Sequence, residues 1–162
     1  MTRIKLAALM STLAFAGAAN AAVLNESNIS LADAQKLATA TVAACLAKGY
    51  NVSASVVDRA GVLKAFARAD NAGPHTVEAS RAKAYTSVSA KAPTLAMMEN
   101  SQKNAGAANL TDIPGFLLLG GGVPVKAGAN VIGAIGVAGA PGGNLDAQCA
   151  DAVLEENAAL FK

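Results

Sequence analysis

The chain has 162 residues, 53% of them hydrophobic, 15% charged and 4% aromatic, with no tryptophan, one histidine and two cysteines. So apolar and weakly charged a composition excludes an intrinsically disordered chain, and two cysteines exclude a disulfide-rich miniprotein or a cysteine-built zinc finger. The formal charge of +2 includes Arg3 and Lys5, which lie in a segment expected to be removed.

That segment is residues 1–21. Arg3 and Lys5 form a basic start, Leu6 to Ala18 an apolar run, and Ala19-Asn20-Ala21 a small-x-small cleavage site, the layout of a secretory signal peptide. The run is shorter than the ~20 residues a bilayer requires. Cleavage near Ala21/Ala22 leaves residues 22–162 as one domain by size, with 11 basic and 11 acidic residues. A neutral chain without a basic cluster argues against nucleic acid or an anionic membrane as partner, and no later segment reads as a membrane span. The expectation is an exported protein, periplasmic or secreted.

Ser30 fits an N-cap with Asp33 three residues on. Leu31, Ala34, Ala38, Thr41/Val42 and Cys45 then follow at helical spacing up to a stop at Gly49, predicting a helix over 31–48. Residues 51–57 alternate as a strand, Asp58-Arg59-Ala60-Gly61 is a turn, and 62–70 returns as a second strand. Asn71 to Pro74 breaks the chain. A helix runs from Thr76 to about Ala90 on a narrow stripe of Val77, Ala84, Tyr85 and Val88, and another over 94–103 after Pro93. Residues 104–114 read as loop. Phe116–Leu119, Val123–Lys126 and Val131–Ala138 are strand candidates, with a Gly120–Gly122 turn between the first two, and Gly139–Gly143 leads into a closing helix at about 145–160.

The order αββααβββα with short turns predicts an α+β fold around an antiparallel sheet of about five strands. The late strands are apolar on both faces, so helices over one face leave the other for more helices or a second subunit, and a homo-oligomer is expected.

The ordered set Val57-Asp58-Arg59-Ala60-Gly61, Arg68-Ala69-Asp70-Asn71-Ala72-Gly73-Pro74, Arg81-Ala82-Lys83-Ala84-Tyr85-Thr86, Ala92-Pro93-Thr94, Gly121-Gly122-Val123-Pro124 and Gly133 through Ala140 resembles the GlcG/HbpS-like family of haem-binding proteins. The resemblance spans roughly residues 30–160. It implies a compact α+β domain, assembly into oligomers, and non-covalent haem or corrinoid-type binding in some members.

Within that frame His75 is the candidate iron ligand or acid/base group; as the only histidine, it excludes bis-His ligation within one chain. No Cys-x-x-Cys-His is present for covalent haem attachment. Arg68 and Lys83 are the cations offered to propionates or to a carboxylate substrate, with a solvated charge or an ion pair with Asp70 or Glu78 as the alternative for each. Arg81 points to a different side of the helix from Lys83. Thr94 resembles the family's Pro-Thr step; it reaches a ligand or caps the following helix. Gly121 and Gly122 line a pocket or simply turn the chain. Met97 and Met98 are core filler or axial ligands. The Gly139–Gly143 loop offers backbone N–H groups to an anion, unless Asp146 in the next helical turn takes them itself. Cys45 and Cys149 fall on apolar stripes of the two terminal helices and pair if those helices lie side by side; two buried thiols are the alternative. The first functional reading is an exported haem-binding protein. The second is an isomerase or lyase acting on an organic acid, with His75 as acid/base and Arg68 as clamp. The third is a ligand-free oligomeric scaffold.

Overall fold

The computed structural model describes residues 23–161, so the expected signal peptide lies outside the described residues. Ser30 caps α1 (Leu31–Leu46), accepting from the Asp33 backbone N–H at 3.0 Å while its hydroxyl donates to the Asp33 carboxylate at 2.6 Å. One side of α1 buries Ala34, Leu37, Ala38, Thr41, Val42 and Cys45, whereas Leu31, expected on that stripe, is exposed. A turn through Gly49 leads to β1 (Ser53–Asp58), which forms a hairpin with β2 (Leu63–Arg68). Then come α2 (His75–Ala90), α3 (Thr94–Lys103), a 3-10 stretch over Ala105–Asp112, β3 (Gly122–Ala127), β4 (Asn130–Ala138) and α4 (Gly143–Glu156), with a last 3-10 turn at Ala158–Phe161.

The sheet has four strands in the order β2-β1-β4-β3, every pair antiparallel. The fold class matches the expectation, but the fifth strand, Phe116–Leu119, is absent. That segment lies along α2 instead: the Leu117 N–H donates to Thr86 Oγ1 at 2.8 Å, and Leu118 is buried. With its backbone bonded to a helix side chain, it has no ladder to join.

The two faces of the sheet are covered differently. Ala54, Val56, Val123, Val125, Ile135 and Val137 meet α1 and α4 in the main apolar core. The α1 and α4 helices are joined there by a Cys45–Cys149 disulfide, Cα–Cα 5.5 Å, both residues fully buried. The opposite face is covered by α2 of the same chain, lying against β4, β1 and β3, so the sheet does not need a second subunit to close it there. The β2 residues Phe66 and Arg68 on that side stay exposed.

The α2 interface is not the predicted apolar stripe. Its buried residues are Thr76, Ser80, Lys83, Ala84, Thr86, Ser87 and Val88, while Val77 and Tyr85 are half-buried. Short side chains let the helix sit close to the sheet: a Cβ on Gly136 would run into the Ser80 carbonyl and lie 2.5 Å from the Ala84 nitrogen. The hydroxyls pair across the layer, Ser53 with Thr76 at 2.7 Å and Ser55 with Ser80 at 2.8 Å. Pairing removes the penalty of burying polar groups.

Candidate functional site

At the edge where β1 and β3 begin and β2 and β4 end, α2 starts at His75, and the β4–α4 loop passes over the sheet. Between them lies a cleft of about 250 Å³ lined by His75, Ala79, Lys83, Leu119, Ala138 to Gly143 and Asp146. The walls are small and apolar, and His75 stands exposed in the first turn of α2 behind Pro74. Its ring lies so near Gly73 that a Cβ there would come within 2.8 Å of it.

The floor of the cleft is a buried ion pair. Lys83 Nζ donates to Asp146 Oδ2 at 2.8 Å and to the Val137 carbonyl at 2.9 Å, with both side chains almost fully buried. The other carboxylate oxygen accepts from the Ala140 N–H at 2.9 Å. Asp146 therefore takes a backbone donor of the Gly139–Gly143 loop, the alternative weighed against an anion site there. Burial raises the Asp146 pKa above its ordinary value, against the opposing pull of the Lys83 hydrogen bond and charge and of the Ala140 N–H.

The remaining sequence candidates are divided by the fold. Arg68 is not among the residues lining the cleft; its guanidinium donates to the Ala72 carbonyl at the same end of the molecule. His75 thus lines the cleft and Arg68 does not. Arg81 is exposed and paired with Glu78 at 2.9 Å. Thr94 is the first residue of α3 rather than its cap, which is Pro93. Its fully buried hydroxyl donates to the Leu119 carbonyl at 2.6 Å and accepts from the Gly122 N–H at 2.8 Å. Gly121 and Gly122 are buried where a Cβ would strike Lys83, Thr94 or Asp146. These three residues tie the segment before β3 to α2 and α3, and the cleft lies beside them. Met97 and Met98 are half-buried on α3 and do not line it. Among the described residues no group of three His, Cys, Asp or Glu side chains is placed to hold a metal, and no helix is long and apolar enough to cross a membrane.

Sequence reasoning placed Lys83 at the site but missed its partner. Asp146 lies 63 positions further on, and only the tertiary fold, which carries the Lys83 side chain to the end of β4 and the first turn of α4, brings the two together. Leu119 was missed as a wall because its segment read as a strand.

Comparison with known proteins matches residues 29–155 to a family model described as haem degrading protein HbpS-like. The fold is similar to a crystal structure of a doubly substituted HbpS from Streptomyces reticuli, 39% identical, covering 96% of this chain and 99% of that one, with a TM-score of 0.76. An uncharacterized 15.0 kDa protein from the dhaT–dhaS intergenic region of Citrobacter freundii is 35% identical over 113 residues, 68% of this chain and 80% of its own length. A PduOC:haem complex is similar in fold, with a TM-score of 0.72 at 23% identity, covering 79% of this chain and 94% of that one.

Proposed function

The chain belongs to the HbpS-like family of haem degrading proteins, and from that premise we propose that it is an exported haem-binding protein whose site is the cleft at the start of α2. One observation carries the reading: the only histidine of the chain stands at the mouth of the one described cleft that combines an imidazole with walls of Leu119, Ala138, Ala140, Pro141 and glycine backbone. The PduOC structure with bound haem, on the same fold, supports it.

The lining fits a flat apolar ligand in chemistry and falls short in size. About 250 Å³ lies below the roughly 300–1,000 Å³ of sites that enclose most of a ligand, so one chain grips an edge of the macrocycle. Leu119, 48% exposed on the cleft wall, supports a homo-oligomer in which a second copy covers the rest. Haem, when bound, would supply an iron centre for the His75 imidazole to hold.

The residues of the chain do the rest. His75 presents its ring from a turn fixed by Pro74, and the small apolar walls exclude water from the buried edge. Lys83 has two of its three N–H donors engaged by Asp146 and Val137, leaving one for a ligand carboxylate. Arg68, outside the cleft at the same end, meets a carboxylate tail that leaves it. Export is supported by the layout of residues 1–21 and by the buried disulfide, a bond that persists in oxidising compartments.

Haemin titration followed by desalting tests the reading. The expected result is a saturable Soret band in the wild type whose position shifts in His75→Ala. Superimposable spectra of the two proteins remove His75 from the site, and no retained haemin in the wild type overturns the proposal. A thermal-shift screen with organic acids run beside it gives the enzyme reading its own chance, since ligands that bind only the folded state raise its melting temperature.

A further inference from the structure

The antiparallel topology gathers a second set of chemistry at the far end of the molecule. Where α2 and β3 end and β4 begins, Arg59, Lys91, Lys126, Ala129, Asn130 and Val131 line a pocket of about 190 Å³. The 16 residues of α2 separate it from the His75 cleft by about 24 Å at the helical rise per residue. Three of its six lining residues are cations and none is acidic.

Two of the three cations sit on irregular backbone. Lys91 follows the last turn of α2 with φ +54, and its N–H and that of Ala92 close the helix onto the Val88 and Ser87 carbonyls. Helices ended this way carry glycine at that position, because a Cβ is strained there; lysine is the only non-glycine residue with positive φ among the described residues. The register of β3 against β4 shifts between Val125 and Lys126, and an irregularity of this kind re-aims the side chain beside it. Arg59 is held in the β1–β2 turn, its N–H donating to Asn28 Oδ1 at 3.0 Å and its guanidinium paired with Glu26 at 2.8 Å. Glu26 and the partial negative charge at the carboxy end of α2 offset only part of the three positive charges.

We propose that this pocket is a binding site for a phosphate-type dianion, distinct from the His75 cleft. The cations come from three separate chain segments, which suits a tetrahedral oxyanion accepting hydrogen bonds from several sides better than a planar carboxylate with two in-plane oxygens. Arginine supplies a planar fork of donors, the lysines supply point charges, and the Asn130 amide adds a neutral donor. The site accepts either free inorganic phosphate or the phosphate group of a small ester.

The test is calorimetric titration of the purified protein with inorganic phosphate and, separately, with glycerol 3-phosphate, at constant ionic strength set with chloride. The expected result is saturable binding that falls at least tenfold in Lys91→Gly. That variant removes a cation while giving the backbone the residue it favours, so its melting temperature without phosphate should hold or rise. Lys126→Ala should show a loss of the same sign, and the haemin spectrum of both variants should match wild type. Tighter binding of the ester assigns the site to a phosphorylated small molecule, and tighter binding of phosphate assigns it to the free ion. Absence of saturable binding by either probe, or equal affinity in wild type and Lys91→Gly, overturns the proposal.

Discussion

The Cys45–Cys149 disulfide closes a loop with a sequence separation of 104, and its removal is a demanding test of how the domain is held together. In the chain-entropy account a crosslink acts mainly on the unfolded ensemble, and a loop of about 100 residues is worth about 4.7 kcal/mol. That is a large share of the 5–15 kcal/mol typical of a domain. At about 3–4 °C per kcal/mol for a chain of this size, the Cys45→Ala/Cys149→Ala variant should melt about 15–20 °C below the oxidised wild type. Urea unfolding followed by circular dichroism separates the causes. Loss of the link expands the unfolded chain, so the variant should show a steeper dependence on urea as well as a lower midpoint. Wild type unfolded under a strong reductant should fall to nearly the midpoint of the variant. A melting temperature lowered by less than about 5 °C, with an unchanged urea slope, would refute the assignment of the bond as the main constraint on the unfolded chain.

The same unfolding assay checks three further expectations. Gly136→Ala places a methyl against the backbone of α2; overpacking of this kind typically costs 1–3 kcal/mol, and with no side chain able to turn aside the loss should be about 3 kcal/mol. Thr94→Val leaves the Gly122 N–H and the Leu119 carbonyl without the hydroxyl they share, and should destabilise by about 1–3 kcal/mol while leaving the Soret maximum of a haemin complex in place. Burial raises the Asp146 pKa, so the folded state binds that proton more tightly than the unfolded state. The contribution of this group to stability should therefore be full below the ordinary carboxylate range and decline as pH rises through the folded-state value; in Asp146→Asn this decline should disappear from the pH profile of stability.

Most of the framework could be read in the sequence because the relevant signals are local. The Ser30/Asp33 cap, the alternation over 51–57, the Asp58–Gly61 turn and the break at Pro74 each set an element by short-range chemistry, and observed boundaries differ from expected ones by a few residues. Phe116–Leu119 misled because a short apolar run next to glycines has the same pattern whether it joins a sheet or packs on a helix. The α2 face misled for a different reason: the expected stripe was drawn on apolar residues alone, yet Thr76 and Ser80 are buried in pairs with Ser53 and Ser55. At the candidate site, His75 and Lys83 were legible as chemistry. The Lys83–Asp146 tie was not, because it is a tertiary contact between residues with no shared local pattern. Thr94, Gly121 and Gly122 were legible as a motif, but sequence could not say that the motif faces inward as a joint.

The two layers over the sheet are fastened by unlike means. A covalent stitch fixes α1 to α4 on one side, while α2 on the other rests on hydroxyl pairs, a glycine trough and a single buried charge tie. The distance between the histidine and the loop that walls the other side of its cleft is thus set by those hydroxyl pairs and that charge tie, not by the covalent stitch.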